Sequence, residues 1–327
     1  MPRRGLLARS RNATIILGRF ALLAVAVALL QRLQREGSPW EWRLLLIVVL
    51  LALLATFAKR LSDMKVWVVY VGGLMAFLYL RTLADETGMP HFVSYPLTLD
   101  RYMFLGEVPT AWLQKHLYEP GNVRLYEVLL GTTYLSYFFV PHVVAITTWR
   151  LRPALFPRVP LAMIATFQIG LVLYFLVPTV PPWLAPELGH GPEMTRVMLT
   201  LTSQVDANGY ESASRVAGVN DVGAMPSLHM ALTVMVALVL AEFGRGWKYV
   251  GATYAFLMGL ALVYLGEHYV TDELVGALLA VGVWKVSASR IRLPAFARNR
   301  ERIAARDSAF APGVALAANA EPPEQAA

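Results

Sequence analysis

Long apolar stretches alternate with short polar connections along most of the chain. Each stretch is close to, or slightly shorter than, the roughly 17–25 residues with which a helix crosses a lipid bilayer. The pattern therefore predicts an all-α protein, a polytopic transmembrane helical bundle with about eight spans in one domain. The predicted spans are residues 13–30, 44–58, 66–83, 125–149, 159–178, 228–243, 249–265 and 274–288.

Three regions follow from this pattern. Residues 1–65 are expected to form a basic cytoplasmic arm and two added transmembrane helices, and residues 66–290 the core of the bundle. Residues 291–327 are expected to form a basic cytoplasmic segment and a tail. The tail is rich in Ala and Pro and has no hydrophobic period, which is typical of a disordered segment.

Composition agrees with a membrane protein and excludes several other classes. Hydrophobic residues make up 57% of the chain and charged residues 16%, whereas soluble domains are about a quarter charged. The net charge of +7 does not indicate nucleic-acid binding, because the basic residues lie between apolar runs and form no single polar face. The absence of cysteine excludes disulfides, thiolate metal sites and a cysteine nucleophile.

The distribution of Lys and Arg predicts the orientation. Connections on the side of the N-terminus carry about twice as many of these residues as connections on the other side, and basic residues favour the cytoplasm. We therefore expect an integral protein of the plasma membrane with both termini cytoplasmic, and the long connections 85–124 and 179–227 outside. The aromatic, amphipathic sequence of the first connection indicates either a lid or lipid-collecting surface, or an ordinary surface loop.

Two short polar motifs interrupt the apolar C-terminal half, and both lie at predicted outer ends of helices. They are AMPSLHM, residues 224–230, and LGEHYVTDELVG, residues 265–276. The chain descends from His229 through one span and climbs back through the next, so His229 and His268 are expected at similar depth. If the stretch after His268 is helical, Asp272 lies on the same face and can orient the His268 ring.

Ionisable groups at this depth are costly, so two histidines and one aspartate at one membrane face indicate a functional site. A neutral imidazole held by a carboxylate is a good nucleophile toward phosphorus, and a second, protonated imidazole can protonate the leaving oxygen. This predicts an extracytoplasmic active site that acts on lipid phosphate esters through phosphohistidine, with no metal or other cofactor. Two alternatives remain: a lipid transporter or flippase without chemistry, and a metalloenzyme with two His ligands and one Asp ligand.

The substrate phosphate needs positive charge around it, and the sequence has no carboxylate cluster suited to magnesium. Backbone N–H groups after Pro226 and Ser227, at the start of a helix, are one candidate anion site, although Ser227 could also serve only as a helix cap. The cations predicted to face outward are Arg101, Lys115, Arg124, Arg196 and Arg215. The predicted substrate-binding residues are Pro226, Ser227, Leu228, Arg215 and Lys115. The expected partners are the lipid bilayer and a phospholipid or polyprenyl-phosphate substrate.

The two motifs resemble those of the type 2 phosphatidic acid phosphatase superfamily. Residues 226–229, Pro-Ser-Leu-His, match its Pro-Ser-x-His motif, and His268 with Asp272 matches its His-x-x-x-Asp motif. The resemblance implies a six-helix core, with His268 as the nucleophile, Asp272 as the group that orients it, and His229 as the general acid.

Within this superfamily, the chain resembles the branch of fungal inositol phosphorylceramide synthase. The similarity lies in Leu228, where the superfamily usually has Gly, in His268-Tyr269 and in TVPPW at residues 179–183. It implies transfer of a phospho-headgroup such as inositol phosphate, while hydrolysis by the same triad stays open. The Ser-Arg pair of the superfamily falls on Ala261 and Leu262, and its first motif, a Lys followed by Arg-Pro, has no clear counterpart. The resemblance therefore does not identify the phosphate-binding cations.

Overall fold

The computed structural model describes residues 61–86, 89–205 and 222–290. Within these ranges it has ten α-helices, a 3-10 helix at Arg81–Glu86, and no strand longer than an isolated β-bridge. The α-helices are α1 (Leu61–Leu80), α2 (Ser94–Met103), α3 (Pro109–Leu117), α4 (Leu125–Ser136), α5 (Val140–Leu151), α6 (Arg158–Leu176), α7 (Val197–Val205), α8 (Leu228–Ala241), α9 (Arg245–Tyr264) and α10 (Val270–Arg290). The predicted all-helical class is confirmed for this part of the chain.

Two of these helices are long and apolar enough to cross a membrane by length and composition, namely Ser62–Leu80 within α1 and Arg158–Leu176, which is α6. The bent pair α4 and α5 makes up to three, and α8 is a shorter apolar helix. The predicted spans 13–30 and 44–58 lie outside the described residues. The total of eight spans and the three region boundaries stay predictions.

The predicted span 125–149 is not one continuous helix. It is divided into α4 and α5, which meet at an angle of 54°. Pro141 lies in the first turn of α5. Backbone N–H groups in the first turn have no intrahelical acceptor, so a proline there costs no hydrogen bond. A proline inside a continuous helix would remove a hydrogen bond and clash with the preceding turn, so the chain begins a new helix here.

Helix α8 occupies the centre of the described bundle. It packs against α6, α9 and α10, and the side chains of Leu232, Met235, Val236 and Val239 are completely buried. A helix that is apolar on all sides is stable only when other elements or lipid surround it. The packing therefore fixes α8, and with it the position of its N-terminal residues.

Extended segments meet beside the N-terminus of α8. Thr179 forms isolated parallel β-bridges with Phe92 on one side and Gly223 on the other. The backbone bonds include Phe92 N–H to Pro178 O, 2.8 Å, and Ala224 N–H to Thr179 O, 3.0 Å. The segment before α2 is thereby joined, through Thr179, to the segment that leads into α8.

Helices α8 and α10 approach each other closely at Gly276. A Cβ atom on Gly276 would lie 2.2 Å from the backbone oxygen of Ser227, and no side-chain rotation could relieve this clash with backbone. Only glycine allows α10 to pass this close to the start of α8.

We predict that Gly276→Ala destabilises the fold by about 2 kcal/mol or more, because overpacking against backbone forces the helices apart. The matched control is Gly282→Ala in the same helix, where an added Cβ meets nothing within 4 Å and should stabilise by up to about 1 kcal/mol through helix propensity. Thermal unfolding of the purified protein in detergent measures both. Equal unfolding temperatures for the two variants would contradict the close contact.

Candidate active site

His229, His268 and Asp272 lie together at the ends of three elements. His229 is in the first turn of α8, His268 lies in the turn between α9 and α10, and Asp272 is in the first turn of α10. His229 Nδ1 is 3.1 Å from His268 Nε2, and His268 Nδ1 is 3.6 Å from Asp272 Oδ2. The expected meeting of the two histidines is confirmed as geometry, while the catalytic roles of all three residues stay predictions.

Asp272 reaches His268 by a route that differs from the expected one. Helix α10 begins at Val270, so His268 precedes the helix and does not share a helical face with Asp272. The Asp272 carboxylate instead turns back and accepts the backbone N–H of Tyr269 at 3.0 Å, as carboxylates do at helix N-termini. His268 Nδ1 has no closer polar partner in the described part of the chain, so Asp272 is the group placed to hold this nitrogen.

The predicted substrate-binding residues Pro226, Ser227 and Leu228 are buried beneath this site. Ser227 caps α8, since its hydroxyl accepts the N–H of Met230 at 3.2 Å. Its own N–H donates to the carbonyl of Asp272 at 3.0 Å and joins the two motifs directly. These three residues therefore set the position of His229, and their contact with substrate stays a prediction.

Leu228 fits because α6 has a glycine opposite it. A Cβ atom on Gly170 would lie 2.5 Å from a methyl group of Leu228, and the Leu228 side chain is only 3% exposed. The space that a bulky residue needs at position 228 is thus supplied by Gly170.

Three aromatic rings lie around His229. Tyr134 stacks on the imidazole with ring centres 5.1 Å apart, Tyr137 lies at 4.3 Å, and Phe138 meets it edge-on at 6.4 Å. Tyr137 and Phe138 lie where α4 ends and α5 has not begun. The hydropathy pattern predicted a continuous span and therefore did not indicate that these rings contact His229. Tyr137 and Phe138 reach His229 from the break between the two helices.

Two arginines place positive charge near the histidines. The charges of Arg81 and Arg196 both act on His229. Arg196 makes two bonds to Glu267, with Nε to Oε1 at 2.9 Å and Nη2 to Oε2 at 3.3 Å, and its guanidinium lies 4.8 Å from the centre of the Trp183 ring. Because Glu267 directly precedes His268, this ion pair connects a fixed cation to the loop that carries His268.

The cations that the sequence predicted to face outward have different environments. Lys115 is exposed on α3, Arg124 forms a surface ion pair with Glu119 at 2.6 Å, and Arg215 lies outside the described residues. Binding of substrate by Lys115 and Arg215 stays a prediction. Sequence reasoning did not single out Arg81; its position directly after the span α1, on the predicted outer side, was the available signal.

Asp100 of α2 is a second residue that the sequence did not reveal. Its side chain is completely buried and accepts three hydrogen bonds, from Val270 N–H at 3.1 Å, Thr271 N–H at 3.0 Å and the Thr271 hydroxyl at 2.6 Å. Burial raises the pKa of the Asp100 carboxyl, and the hydrogen bonds from Thr271 and Val270 oppose that rise. Asp100 thus caps the N-terminus of α10, two residues after His268.

Gln114 of α3 supports the same loop from another side. Its amide nitrogen donates to the carbonyls of Thr195 and Tyr264 at 2.8 and 2.9 Å, and its amide oxygen accepts the N–H of Thr195 at 2.8 Å. Gly266, with φ of +79°, lies against this contact, since an added Cβ would be 2.7 Å from the Thr195 oxygen. The segment that carries Arg196 is thereby held against the end of α9.

The Ala261-Leu262 pair, which replaces the Ser-Arg pair of the superfamily, is completely buried in an apolar cluster of α9. A cation at either position would face this cluster, so positive charge must reach the site from other elements. Arg81 and Arg196 are two cations whose charges act on His229.

Residues 99–286 match the family model of the PAP2 superfamily, which is more than half of the chain. The protein therefore belongs to the PAP2 superfamily, the type 2 phosphatidic acid phosphatase superfamily that the two motifs indicated. The matched range includes both histidine motifs as well as Asp100 and Arg196, whereas Arg81 lies before it. The apolar helices and the family together indicate an integral membrane protein.

Two curated relatives are named as synthases of an inositol phosphorylceramide and of a phosphoinositol dihydroceramide. The chain is 28% identical over 127 residues to inositol phosphorylceramide synthase of Candida albicans, covering 36% of this chain and 26% of that protein. It is 29% identical over 174 residues to phosphoinositol dihydroceramide synthase of Bacteroides thetaiotaomicron, covering 48% of this chain and 54% of that protein. The matches thus span about a quarter and about half of the lengths of these relatives. No solved structure matches the chain.

Proposed function

We propose that this protein is a membrane-embedded lipid phosphotransferase that works through a phosphohistidine intermediate on His268. The observation that carries the proposal is the 3.1 Å contact of His229 Nδ1 with His268 Nε2, with Asp272 behind the other nitrogen of His268. Membership of the PAP2 superfamily supports an enzyme. A transporter without chemistry would have no need for a nucleophile, an orienting carboxylate and a proton donor in this order.

Each of the three side chains has one role in the proposed mechanism. Asp272 faces His268 Nδ1, so it stabilises the tautomer that leaves Nε2 with a free lone pair, and Nε2 is the nucleophile. His229 lies on the Nε2 side, where the leaving group must depart. The hydrogen bond between the two rings gives way to the substrate phosphate.

The reaction has two balanced steps. His268 Nε2 attacks phosphorus, the bond from phosphorus to the lipid oxygen breaks, and His229 donates its proton to that oxygen. The hydroxyl of the acceptor then loses its proton to His229 and attacks phosphorus, and the bond from phosphorus to Nε2 breaks. Water as the acceptor would give a phosphatase, so the acceptor alone decides between transfer and hydrolysis.

The names of the two relatives favour inositol phosphate as the transferred group and a ceramide-like hydroxyl as the acceptor. The donor would then be phosphatidylinositol, with diacylglycerol as the leaving group. Residues 66–290 would form the catalytic core, with the site at the extracytoplasmic face of the plasma membrane and both termini in the cytoplasm. Polyprenyl phosphate is the alternative donor class.

Arg81 and Arg196 are proposed to neutralise the phosphate, without a metal ion. Both charges act on His229, and fixed cations aimed at the reacting group stabilise the charge that develops on phosphate oxygens. Arg196 is held in place by Glu267 and Trp183, so it is oriented before the substrate binds. These cations would replace the Ser-Arg pair that the chain lacks.

The proposal predicts that the reconstituted protein transfers inositol phosphate from phosphatidylinositol to ceramide, and that His268→Gln lowers the rate by about 10³-fold or more. The control is His190→Gln, an exposed histidine of the same predicted face. Labelled products are separated by chromatography, with and without ceramide and with and without EDTA, which should change nothing. Free inositol phosphate as the sole product would exclude a transferase, loss of activity in EDTA would favour the metalloenzyme, and full turnover by His268→Gln would exclude the mechanism.

The second prediction concerns the cations. Arg81→Gln and Arg196→Gln should each lower kcat/KM by about 10- to 100-fold, as loss of a charge-assisted contact does, whereas Arg150→Gln, an exposed arginine at the other end of α5, should stay within about threefold. Steady-state kinetics of the wild type and these three variants measures the changes in kcat/KM. Lys115→Gln is measured in parallel: if it lowers kcat/KM while Arg81→Gln does not, Lys115 and not Arg81 binds the phosphate.

A further inference from the structure

The helices α2 and α3 and the turn between them, residues 94–117, are here called the α2–α3 hairpin. Its outer side is apolar and exposed: Leu105 at the turn is 99% exposed and Tyr102 82%. Four more apolar side chains are exposed by more than 40%: Leu99, Met103, Phe104 and Trp112. Several large apolar side chains exposed within one short segment mark an interaction site when they occur on a folded protein.

The inner side of the hairpin binds the rest of the protein through polar side chains as well as apolar ones. Asp100, Thr110 and Gln114 are buried against the rest of the protein, and Asp100 and Gln114 bind backbone groups of the loops around His268. The hairpin thus buries these three polar side chains, while the large apolar side chains around its turn are exposed. Exposed apolar side chains of this kind are expected where a protein meets a membrane.

The chain order brings this surface next to two candidate spans. The hairpin lies between α1, which ends at Leu80, and the bent pair that starts with α4 at Leu125. Leu125 is itself 85% exposed. The exposed apolar side chains of the hairpin therefore lie, in the chain, between the end of one apolar helix and the exposed apolar start of the next.

The buried contacts of the hairpin connect it to the loop that carries His268. Three hydrogen bonds connect Asp100 to Val270 and Thr271, and Tyr269 packs with Leu97 and Val108 of the hairpin region. The position of the hairpin therefore sets the position of the loop that carries His268.

We propose that the α2–α3 hairpin is embedded in the outer leaflet at the boundary of headgroups and acyl chains, and that Asp100 positions the His268 loop relative to that leaflet. The partner is thus a phospholipid surface. Leu105 and Tyr102 enter the acyl region, where burial of apolar surface is favourable, and the basic Arg101 stays among the phosphates. The positioning role of Asp100 rests on the proposed function, whereas the location of the hairpin does not.

Depth measurement tests the location without any assay of activity. The chain has no cysteine, so Leu105→Cys provides a single site for an environment-sensitive fluorophore in vesicles of phosphatidylcholine and phosphatidylinositol. The label should be blue-shifted and strongly quenched by nitroxides on the lipid acyl chains. Glu187→Cys, an exposed polar position of the predicted outer connections, is the control and should be quenched only by a water-soluble quencher.

Two results would overturn the location. In one, the Leu105 label is quenched from water as strongly as the Glu187 label. In the other, its protection from water disappears when the protein is diluted with excess lipid, which would mean that a second copy of the chain covers the hairpin. Quenching by lipid nitroxides that persists on dilution supports the leaflet.

Asp100→Asn tests the positioning role. The variant keeps the size of the side chain but loses the charge that caps α10, so kcat should fall by about tenfold or more, because small displacements of a reacting group are costly, while KM stays unchanged. Asp100→Glu should restore part of kcat, and Thr271→Val, which removes one of the three bonds, should give an intermediate loss. A fall in the amount of folded protein with unchanged kcat would show a structural role only and overturn the positioning role.

The location of the hairpin and the positioning role of Asp100 can be refuted separately. If the wild-type protein does not turn over phosphatidylinositol, the proposed function fails, and the fluorescence result still decides where the hairpin lies. If turnover is normal and Asp100→Asn matches the wild type in kcat, only the link between hairpin and site is wrong.

Discussion

The backbone hydrogen bond from the N–H of Ser227 to the carbonyl of Asp272, 3.0 Å long, joins the first turns of α8 and α10, and the geometry of the site depends on it. The bond is possible because Gly276 has no side chain where α10 passes the Ser227 carbonyl. It places His229 and His268, which are 39 residues apart, within 3.1 Å of each other. If these two helices were farther apart, His268 and Asp272 would lack the second imidazole, that of His229.

A shell of buried polar residues keeps this contact in register. Asp100 caps α10, Gln114 joins the Thr195 backbone to the end of α9, and Glu127 accepts the Tyr264 hydroxyl at 2.6 Å. Buried polar groups are costly unless they are paired, so a network of this kind has one favourable arrangement and specifies it.

Some of these features could be predicted from the sequence, and the reasons are physical. Apolar runs and the two polar motifs predicted a helical membrane protein with His229 and His268 at one depth, because helix length fixes where each leg ends. Asp272 was expected near His268 for the wrong reason, since His268 precedes the helix and the carboxylate turns back at its first turn. The gap between α4 and α5 was missed because both halves are apolar, and hydropathy does not register a change of direction.

Other features could not be predicted from a single sequence. Asp100 binds groups 170 and 171 residues away, and no local pattern distinguishes it from an aspartate on a surface helix. Arg81 is one of several cations beside the spans, and only the packing of α1 brings its charge to His229. Long-range contacts of this kind depend on the tertiary arrangement, which helix periodicity does not encode.

The proposed function depends on transfer of inositol phosphate to His268, with His229 as the proton donor. This transfer can be tested by quenching the reconstituted protein at alkaline pH during turnover of phosphatidylinositol and locating any acid-labile adduct by mass spectrometry of peptides. We predict an inositol phosphate adduct on His268 that is absent from His268→Gln. An adduct on His229, or product formation with no histidine adduct at any time, would contradict it.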